Sequence, residues 1–324
     1  MNGEERVKRI AVLTSGGDAP GMNAAIRAVV RKGIYHGLEI YGIKRGFSGL
    51  INRDLFQMKL GSVADIIHRG GTILHTARSP EFLTVEGRQK ARNFLLEEKI
   101  EGVVVIGGDG SFKGANALEE EGIATAGVPA TIDNDIPLTD YTIGFDTAVN
   151  TVTDAINKVR DTATSHERIF VIEVMGRSSG QLALFAGLAG GAESIIVPED
   201  PIDVEEVCNR LLRGIKRGKL HSVILVAEGA GGGLYVGEEI KRVIRMDVRV
   251  IILGHLQRGG TPTAFDRILA SRMGAKAIDL LLERKSGRAV VCRNGCIDSV
   301  AYEELLSRKK LSWDDYHLAE ILAR

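Results

Sequence analysis

Asp109, set among glycines in Gly107-Gly108-Asp109-Gly110-Ser111, is the residue best placed by its neighbours for chemistry on phosphate groups. Backbone without side chains lets N–H groups approach phosphate oxygens closely, and a carboxylate supplies the hard ligand that magnesium takes alongside nucleotide phosphates. A second glycine-rich stretch, Ser15-Gly16-Gly17-Asp18-Ala19-Pro20-Gly21, has the same freedom. It is neither a Walker A loop, since no Gly-Lys-Ser/Thr follows, nor the dinucleotide Gly-x-Gly-x-x-Gly pattern. Two further carboxylates, Asp133 and Asp135, stand two residues apart in Thr131-Ile132-Asp133-Asn134-Asp135. One could accept a proton from a substrate hydroxyl while the other helps position metal or water. An Asx-rich turn is the other reading of the same residues. Cations collect in Met175-Gly176-Arg177 and in Gly254-His255-Leu256-Gln257-Arg258, with Arg168 just before an apolar run. A single arginine usually meets an intramolecular carboxylate, whereas several at one sheet edge point to a phosphorylated ligand.

Each of these stretches adjoins a short apolar segment. Arg9 to Thr14, Glu39 to Ile43, Gly102 to Ile106, Ile123 to Val128, Ile169 to Val174, Ser194 to Val197, His221 to Ala227, Arg249 to Leu253 and Ala289 to Cys292 read as strands. Helical patterns run over Met22 to Tyr35, Glu86 to Lys99, Lys113 to Glu121, Asp146 to Thr164, a small-residue segment through Leu188, Asp203 to Arg217, Thr263 to Glu283 and Trp313 to Arg324. Lys44 to Asn52 reads as a loop, and Arg69 to Pro80 as an irregular polar stretch. This alternation implies a doubly wound parallel sheet with ligands beyond the carboxyl ends of its strands, where Gly17, Asp109 and the segment after Val128 would all lie. The second half repeats the alternation, which implies a second α/β domain.

Composition narrows the classes. The 42 basic and 42 acidic residues cancel across 324 positions, so charge gives no indication of nucleic acid or an anionic membrane. An apolar content of 44% with only 7 prolines fits a packed globular chain. No segment reaches the roughly 18–20 apolar residues of a membrane span, and Met1 to Arg9 is too polar for a secretory leader. Cys208, Cys292 and Cys296 read as free thiols in a reducing cytoplasm; half a metal site is the alternative for the last two. Arg27 and Arg31, four apart, share one helix face that solvent alone would explain.

Taken together and in order, Leu13 to Asn23, Arg69 to Phe82 with gaps, Val104 to Ser111, Thr131 to Phe145, Arg160 to Arg168, Glu173 to Arg177 and Leu253 to Arg267 resemble the bacterial-type ATP-dependent 6-phosphofructokinase family. The resemblance implies two doubly wound three-layer α/β/α domains with mainly parallel sheets and an active site in the cleft between them. The larger, ATP-binding domain would comprise 1–144 plus 257–307, and the smaller, fructose-6-phosphate-binding domain 145–256 plus 308–324. The implied reaction moves the γ-phosphoryl of Mg-ATP to the 1-hydroxyl of fructose 6-phosphate. Asp133 matches its general base, with Asp135 beside it. Gly17, Arg78, Ser79, Gly108, Asp109, Gly110 and Ser111 match ATP contacts, and Asp109 lies toward Mg²⁺. Thr131 and Arg177 match groups near the transferring phosphoryl. Met175, Gly176, Arg177, Glu228, His255 and Arg258 match sugar-phosphate contacts, while Arg168 and Arg249 match residues lent by a neighbouring subunit of a homotetramer.

The family also carries an effector site between subunits, activated by ADP or GDP and inhibited by phosphoenolpyruvate. Its matches here are Arg27, Arg31, Arg160, Gly191, Glu193, Arg217, Lys219 and His221, which turns the Arg27–Arg31 face into an expected phosphate site. Two departures stand out. Leu60 and Gly61 replace an arginine and an aromatic that some members use at the effector site. Ala130 replaces the glycine common in ATP-using members, although pyrophosphate-using relatives place lysine there and aspartate at the position of Gly110. Small residues at both positions favour ATP. A pyrophosphate-dependent enzyme and a non-catalytic sugar-phosphate sensor are the competing readings.

Overall fold

The computed structural model describes residues 7–201, 203–305 and 307–323. Two compact units emerge: Met1–Ile132 with Ile136–Asp146 and Arg258–Lys309, and Asp133–Asp135 with Thr147–Gln257 and Lys310–Arg324.

The first unit is built on a seven-stranded sheet. Strands β1 (Arg9–Thr14), β2 (Glu39–Ile43), β3 (Leu55–Met58), β4 (Gly102–Gly107), β5 (Ala124–Pro129), β10 (Arg288–Arg293) and β11 (Cys296–Ala301) lie in the order β11-β10-β5-β4-β1-β2-β3. The five inner strands are parallel; β3 and β11 run antiparallel at the two edges. All six residues of β4 are buried, as expected of a strand covered on both faces. Helices α1 (Met22–Tyr35), α2 (Gly46–Ile51), α3 (Val85–Glu97), α4 (Asp109–Glu120) and α9 (Ala264–Leu282) belong to this unit. One buried cluster packs Val103 and Val105 of β4 against Phe94 and Leu95 of α3 and Phe112 of α4. The chain leaves β1 toward β2 on one side, whereas β4 pairs with β1 on the other. The order therefore reverses between β1 and β4, and ligands of open α/β sheets gather at such a reversal.

The second unit holds a four-stranded parallel sheet, β7 (Ser194–Ile196), β8 (Ser222–Ala227), β6 (Ile169–Val174) and β9 (Val248–Ile252), in the order β7-β8-β6-β9. Its helices are most of α5 (Phe145–His166), α6 (Gln181–Gly190), α7 (Val204–Lys216), α8 (Gly233–Ile244) and α10 (Trp313–Leu322). Val207 and Leu211 of α7, with Val236 and Ile240 of α8, pack on Ile169, Val171, Ile224 and Val226 of the sheet.

The expected doubly wound α/β class is observed. Four elements differ from expectation. The stretch 44–52 is not a loop but carries α2, whose Phe47 and Leu50 are buried; burial of two apolar side chains outweighs three nearby glycine and asparagine breakers. β3 escaped notice because a four-residue edge strand is too short to display a period. α8 starts inside the glycine run 229–233, which reads as loop until Val236, Gly237 and Ile240 are seen to share a buried face. β11 follows β10 through Asn294-Gly295, both at positive φ (49° and 75°), the two-residue hairpin turn for which Asn-Gly is the sequence signal. Helix α10 ends at Leu322; Arg324, the expected last helical residue, lies outside the described residues. No described helix is long and apolar enough to cross a membrane.

Candidate active site

In the first unit, parallel pairing of β5, β4 and β1 delivers their carboxyl ends to one edge. The turn after β1 is fixed there by Ser15 N–H donating to the Ile106 carbonyl at 2.9 Å, and the segment after β5 by Ala130 N–H donating to Gly107 O at 2.9 Å. Gly107 is held to glycine by proximity, because a Cβ would collide with the Ser15 carbonyl and the Ser111 hydroxyl. Gly110 is different: a Cβ there would meet nothing within 4 Å. The space beside it is not filled by protein.

Gly108 caps α4 without a side-chain hydrogen bond; Ser111 and Phe112 N–H donate to the Gly108 carbonyl, which leaves the N–H groups of Asp109 and Gly110 at the start of that 12-residue helix, with Asp109 in the first turn. Asp109 is exposed and pairs with Lys113 at 2.7 Å, one helical turn on. The Ser111 Oγ is buried and has no hydrogen-bond partner among the described residues. Leaving a buried hydroxyl unmatched costs about 1–3 kcal/mol, so a ligand oxygen in this turn would repair a standing deficit. Thr131 lies nearby: its Cβ is 3.6 Å from the position of a Cβ on Gly108. Its backbone is held by the Thr142 hydroxyl, which donates to the Thr131 carbonyl at 2.6 Å.

The irregular stretch 69–79 is tied to the same edge. Thr76 donates to Gly16 O at 2.7 Å, Thr14 to His75 O at 2.8 Å, and the Asn23 amide to the carbonyls of Arg69 and Gly70 at 3.0 and 3.1 Å. These bonds explain how a loop without regular structure is positioned. Arg78, at its end, is exposed and makes no hydrogen bond or ion pair among the described residues, and Ser79 is half-buried beside it. Arg258 comes to the β1 turn as well. Its guanidinium lies where a Cβ on Gly17 would stand and donates to Asp18 O at 3.3 Å. A residue expected on the sugar phosphate thus sits against one expected on the nucleotide.

In the second unit the turns after β6, β8 and β9 are laced together. Gly176, at φ 133°, places its carbonyl to accept from Gly229 N–H at 3.2 Å, and any side chain on Gly176 would strike the Ser179 carbonyl. Met175 N–H donates to Gln257 Oε1 at 3.1 Å, and Gln257 Nε2 donates to Gly254 O at 2.9 Å. Gln257, fully buried, is the organising residue that sequence reading passed over; its polar type inside an arginine- and glycine-rich turn was the available signal. Around it Arg177, Glu228 and His255 are exposed and make no side-chain hydrogen bond or ion pair among the described residues. Asp133 belongs to this unit, its carbonyl accepting from Ser179 Oγ at 2.9 Å. Asn134, between the two aspartates, takes φ 46°, which turns the backbone there.

Arg168 and Arg249 do not join that cluster. Both bond to Asp247, at 2.8 and 3.1 Å, at the amino ends of β6 and β9. The six residues of β6 separate Arg168 from Met175. At ~3.3 Å per residue that is about 20 Å, beyond an arginine's reach. A third cluster gathers Arg160, Gly191, Glu193 and Lys219. Arg160 donates to the carbonyls of Gly190 and Gly191 at 2.6 and 2.8 Å, and the buried Glu193 takes Lys219 at 2.5 Å. Arg217 ends α7 and His221 is half-buried just before β8. Arg27 and Arg31 stand on α1 of the first unit, half-buried and exposed respectively. Leu60 is exposed and Gly61 borders open space.

Among the described residues no three metal-ligating side chains cluster. One carboxylate beside a phosphate cradle nevertheless fits magnesium, which commonly takes one or two protein carboxylates and completes its shell with phosphate oxygens and water.

The phosphofructokinase family model matches residues 9–281. The chain belongs to the phosphofructokinase family. An ATP-dependent 6-phosphofructokinase of Halalkalibacterium halodurans is 60% identical over 98% of this chain and 100% of its own length. The crystal structure of Pichia pastoris phosphofructokinase in the T-state superposes with a TM-score of 0.89 and 34% identity, covering 94% of this chain but only 38% of its own. A pyrophosphate-dependent phosphofructokinase from Marinobacter aquaeolei shares the fold alone, with a TM-score of 0.86 at 23% identity, over 96% of this chain and 88% of its own.

Proposed function

We propose that this phosphofructokinase transfers the γ-phosphoryl of ATP to the 1-hydroxyl of fructose 6-phosphate, giving fructose 1,6-bisphosphate and ADP. The observation that carries the choice of donor is the open space at Gly110, beside a buried Ser111 hydroxyl that lacks a partner. The name of the Halalkalibacterium relative, matched along its whole length, supports the same donor. Gly17, Arg78, Ser79 and the turn Gly108 to Ser111 bind the nucleotide phosphates in this reading. Asp109 holds magnesium, which neutralises charge on the phosphates when bound.

Asp133 accepts the proton of the 1-hydroxyl, and Asp135 supports its orientation. A carboxylate with an ordinary pKa of about 4 is a weak base for an alcohol, but a loose phosphoryl-transfer transition state asks for little early proton removal. Thr131 and Arg177 meet the charge that develops on the moving group. Met175, Gly176, Glu228, His255 and Arg258 take up the sugar phosphate. Arg168 and Arg249 stand too far along the strand from Arg177 to serve the same ligand in one chain. That distance supports their service to a neighbouring subunit, and hence a homotetramer. The Arg160–Glu193–Lys219 cluster, with Gly191, Arg217 and His221 and with Arg27 and Arg31 of α1, is assigned to an effector site for ADP or GDP and phosphoenolpyruvate. Free thiols support a cytoplasmic setting.

Steady-state assays with fructose 6-phosphate and either ATP or pyrophosphate test the donor. Turnover with pyrophosphate equal to that with ATP would overturn it. In the same assay Asp133→Ser lowers kcat about 10²–10⁴-fold with a modest change in KM for the sugar phosphate. A kcat close to the unmodified enzyme's removes Asp133 from its role.

A further inference from the structure

Beyond the strand ends that carry the active site, the first unit has a cleft of about 550 Å³ at the opposite end of β10. Its walls come from the last turns of α9, the connection to β10, and β11, and its charged groups are Lys276, Arg284, Lys285, Arg288 and Asp298. Lys285 is matched by Glu283 at 2.9 Å, and the last turn of a helix favours cations in any case. Glu283 also attracts Lys276, though not at ion-pair distance, and neither account covers Arg288. Lys276 lies almost two turns before the end of α9, is half-buried, and makes no ion pair or hydrogen bond among the described residues.

Arg288, also half-buried, bonds only to neutral acceptors, the hydroxyl and carbonyl of Ser299 at 2.9 and 2.6 Å. Asp298, the carboxylate of the lining, accepts from the Ser299 N–H at 2.7 Å and lies in no ion pair with either cation. Glu119, beside the lining residue Ser286, is engaged by the Ser286 hydroxyl and by Thr125 and forms no ion pair with either cation among the described residues. Two half-buried cations, neither of them ion-paired to a carboxylate among the described residues, face one open cleft whose lining also holds Asp298. Removing charge from water without a counter-charge is costly, and a bound anion lowers that cost.

We propose that this cleft is an anion site for a small metabolite bearing two phosphate groups, one on Arg288 and one on Lys276. The guanidinium, aligned by Ser299, presents its remaining N–H groups in a fixed plane suited to a phosphate, and Lys276 supplies a mobile point charge. Lys285 and Arg284 line the rim and raise the local anion concentration. The site is separate from the proposed nucleotide and sugar-phosphate contacts, so it stands or falls without them.

The test is residue-specific acylation of the intact protein, read by mass spectrometry, with inorganic pyrophosphate as the first probe and sodium chloride of equal ionic strength as its reference. Pyrophosphate slows acylation of Lys276 about tenfold while exposed Lys59 and Lys241 change by less than about twofold, the pattern of an occupied site rather than of screening. Arg288→Gln, or Lys285→Glu should that variant not fold, raises the concentration for half-protection about tenfold and leaves kcat unchanged. A nucleoside diphosphate and a hexose bisphosphate, run in the same way, identify which class of diphosphate protects best. Equal acylation of Lys276 in pyrophosphate and in chloride, or protection that survives both substitutions, overturns the site.

Discussion

Replacing Gly110 by aspartate separates the demands of the fold from those of the ligand. Gly110 is exposed and a Cβ there meets nothing within 4 Å, so the new side chain starts in open space. Gly110 is the second residue of α4. Losing a helical glycine contributes about 0.5–1 kcal/mol, and a carboxylate in the first turn about 0.3–1 kcal/mol. The folded state should be as stable as the parent or slightly more so. Donor binding moves the other way. One carboxylate about 5 Å from one phosphate charge, at an effective dielectric of about 20, gives 332/(20 × 5), or about 3 kcal/mol of repulsion, which is about a hundredfold in affinity. The assay pairs thermal unfolding with kcat/KM for ATP, and Gly110→Ala serves as the uncharged control. Activity with ATP within about threefold of the parent would refute the reasoning. So would a loss of activity that tracks a lower Tm, because the effect would then belong to the fold.

Further outcomes follow from other parts of the molecule. Gln257→Ala removes two part-buried hydrogen bonds, one joining the turns after β6 and β9 and one bracing the latter. It should cost about 1–3 kcal/mol and raise KM for fructose 6-phosphate more than KM for ATP; an equal rise in both would place Gln257 outside the sugar-phosphate turns. Burial pushes the Cys208 and Cys292 thiols above their ordinary range, while Cys296 is exposed. Iodoacetamide near pH 8 should therefore modify Cys296 alone until denaturant is added, as intact-mass measurement would record. Tyr316, half-buried with its hydroxyl donating to Ile195 O at 3.0 Å, is pushed up to about 12, chiefly by burial and then by Asp200 and Glu320. The unfolded chain releases this proton first, near pH 10, so Tyr316 takes stability away as pH rises from about 10 to 12 and has no such effect below. Tyr316→Phe should flatten that part of the stability curve in denaturant titrations; an unchanged slope would reject the assignment.

The strands that carry the site were legible because each is a short apolar run, most of them closed by a glycine turn and β5 by Pro129, and such runs declare themselves wherever a strand is buried on both faces. The same logic set Gly17, Asp109 and the segment after Val128 at a common edge, since parallel strands in one sheet present the same ends together. Arginines resisted this reasoning. Arg168 and Arg177 stand before and after one strand, as their positions in sequence indicate, but the carboxylate that Arg168 shares with Arg249, Asp247, was not legible. Arg258 looked like a companion of His255, but its guanidinium rests on the turn containing Gly17. A long side chain reaches far enough that its position in sequence does not name its partner.

Sequence alone determined the alternation of elements, the glycine turns and the family, because these depend on local conformational preference and on the order of motifs along the chain. Tertiary structure decided what the local pattern cannot contain: that Ser111's hydroxyl is buried without a partner, that Gly107 is held to glycine by packing while Gly110 is left open, and that Gln257 ties two turns together. Each of these depends on atoms distant in sequence meeting in space. A glycine required by its neighbours and a glycine kept clear for a ligand are written with the same letter.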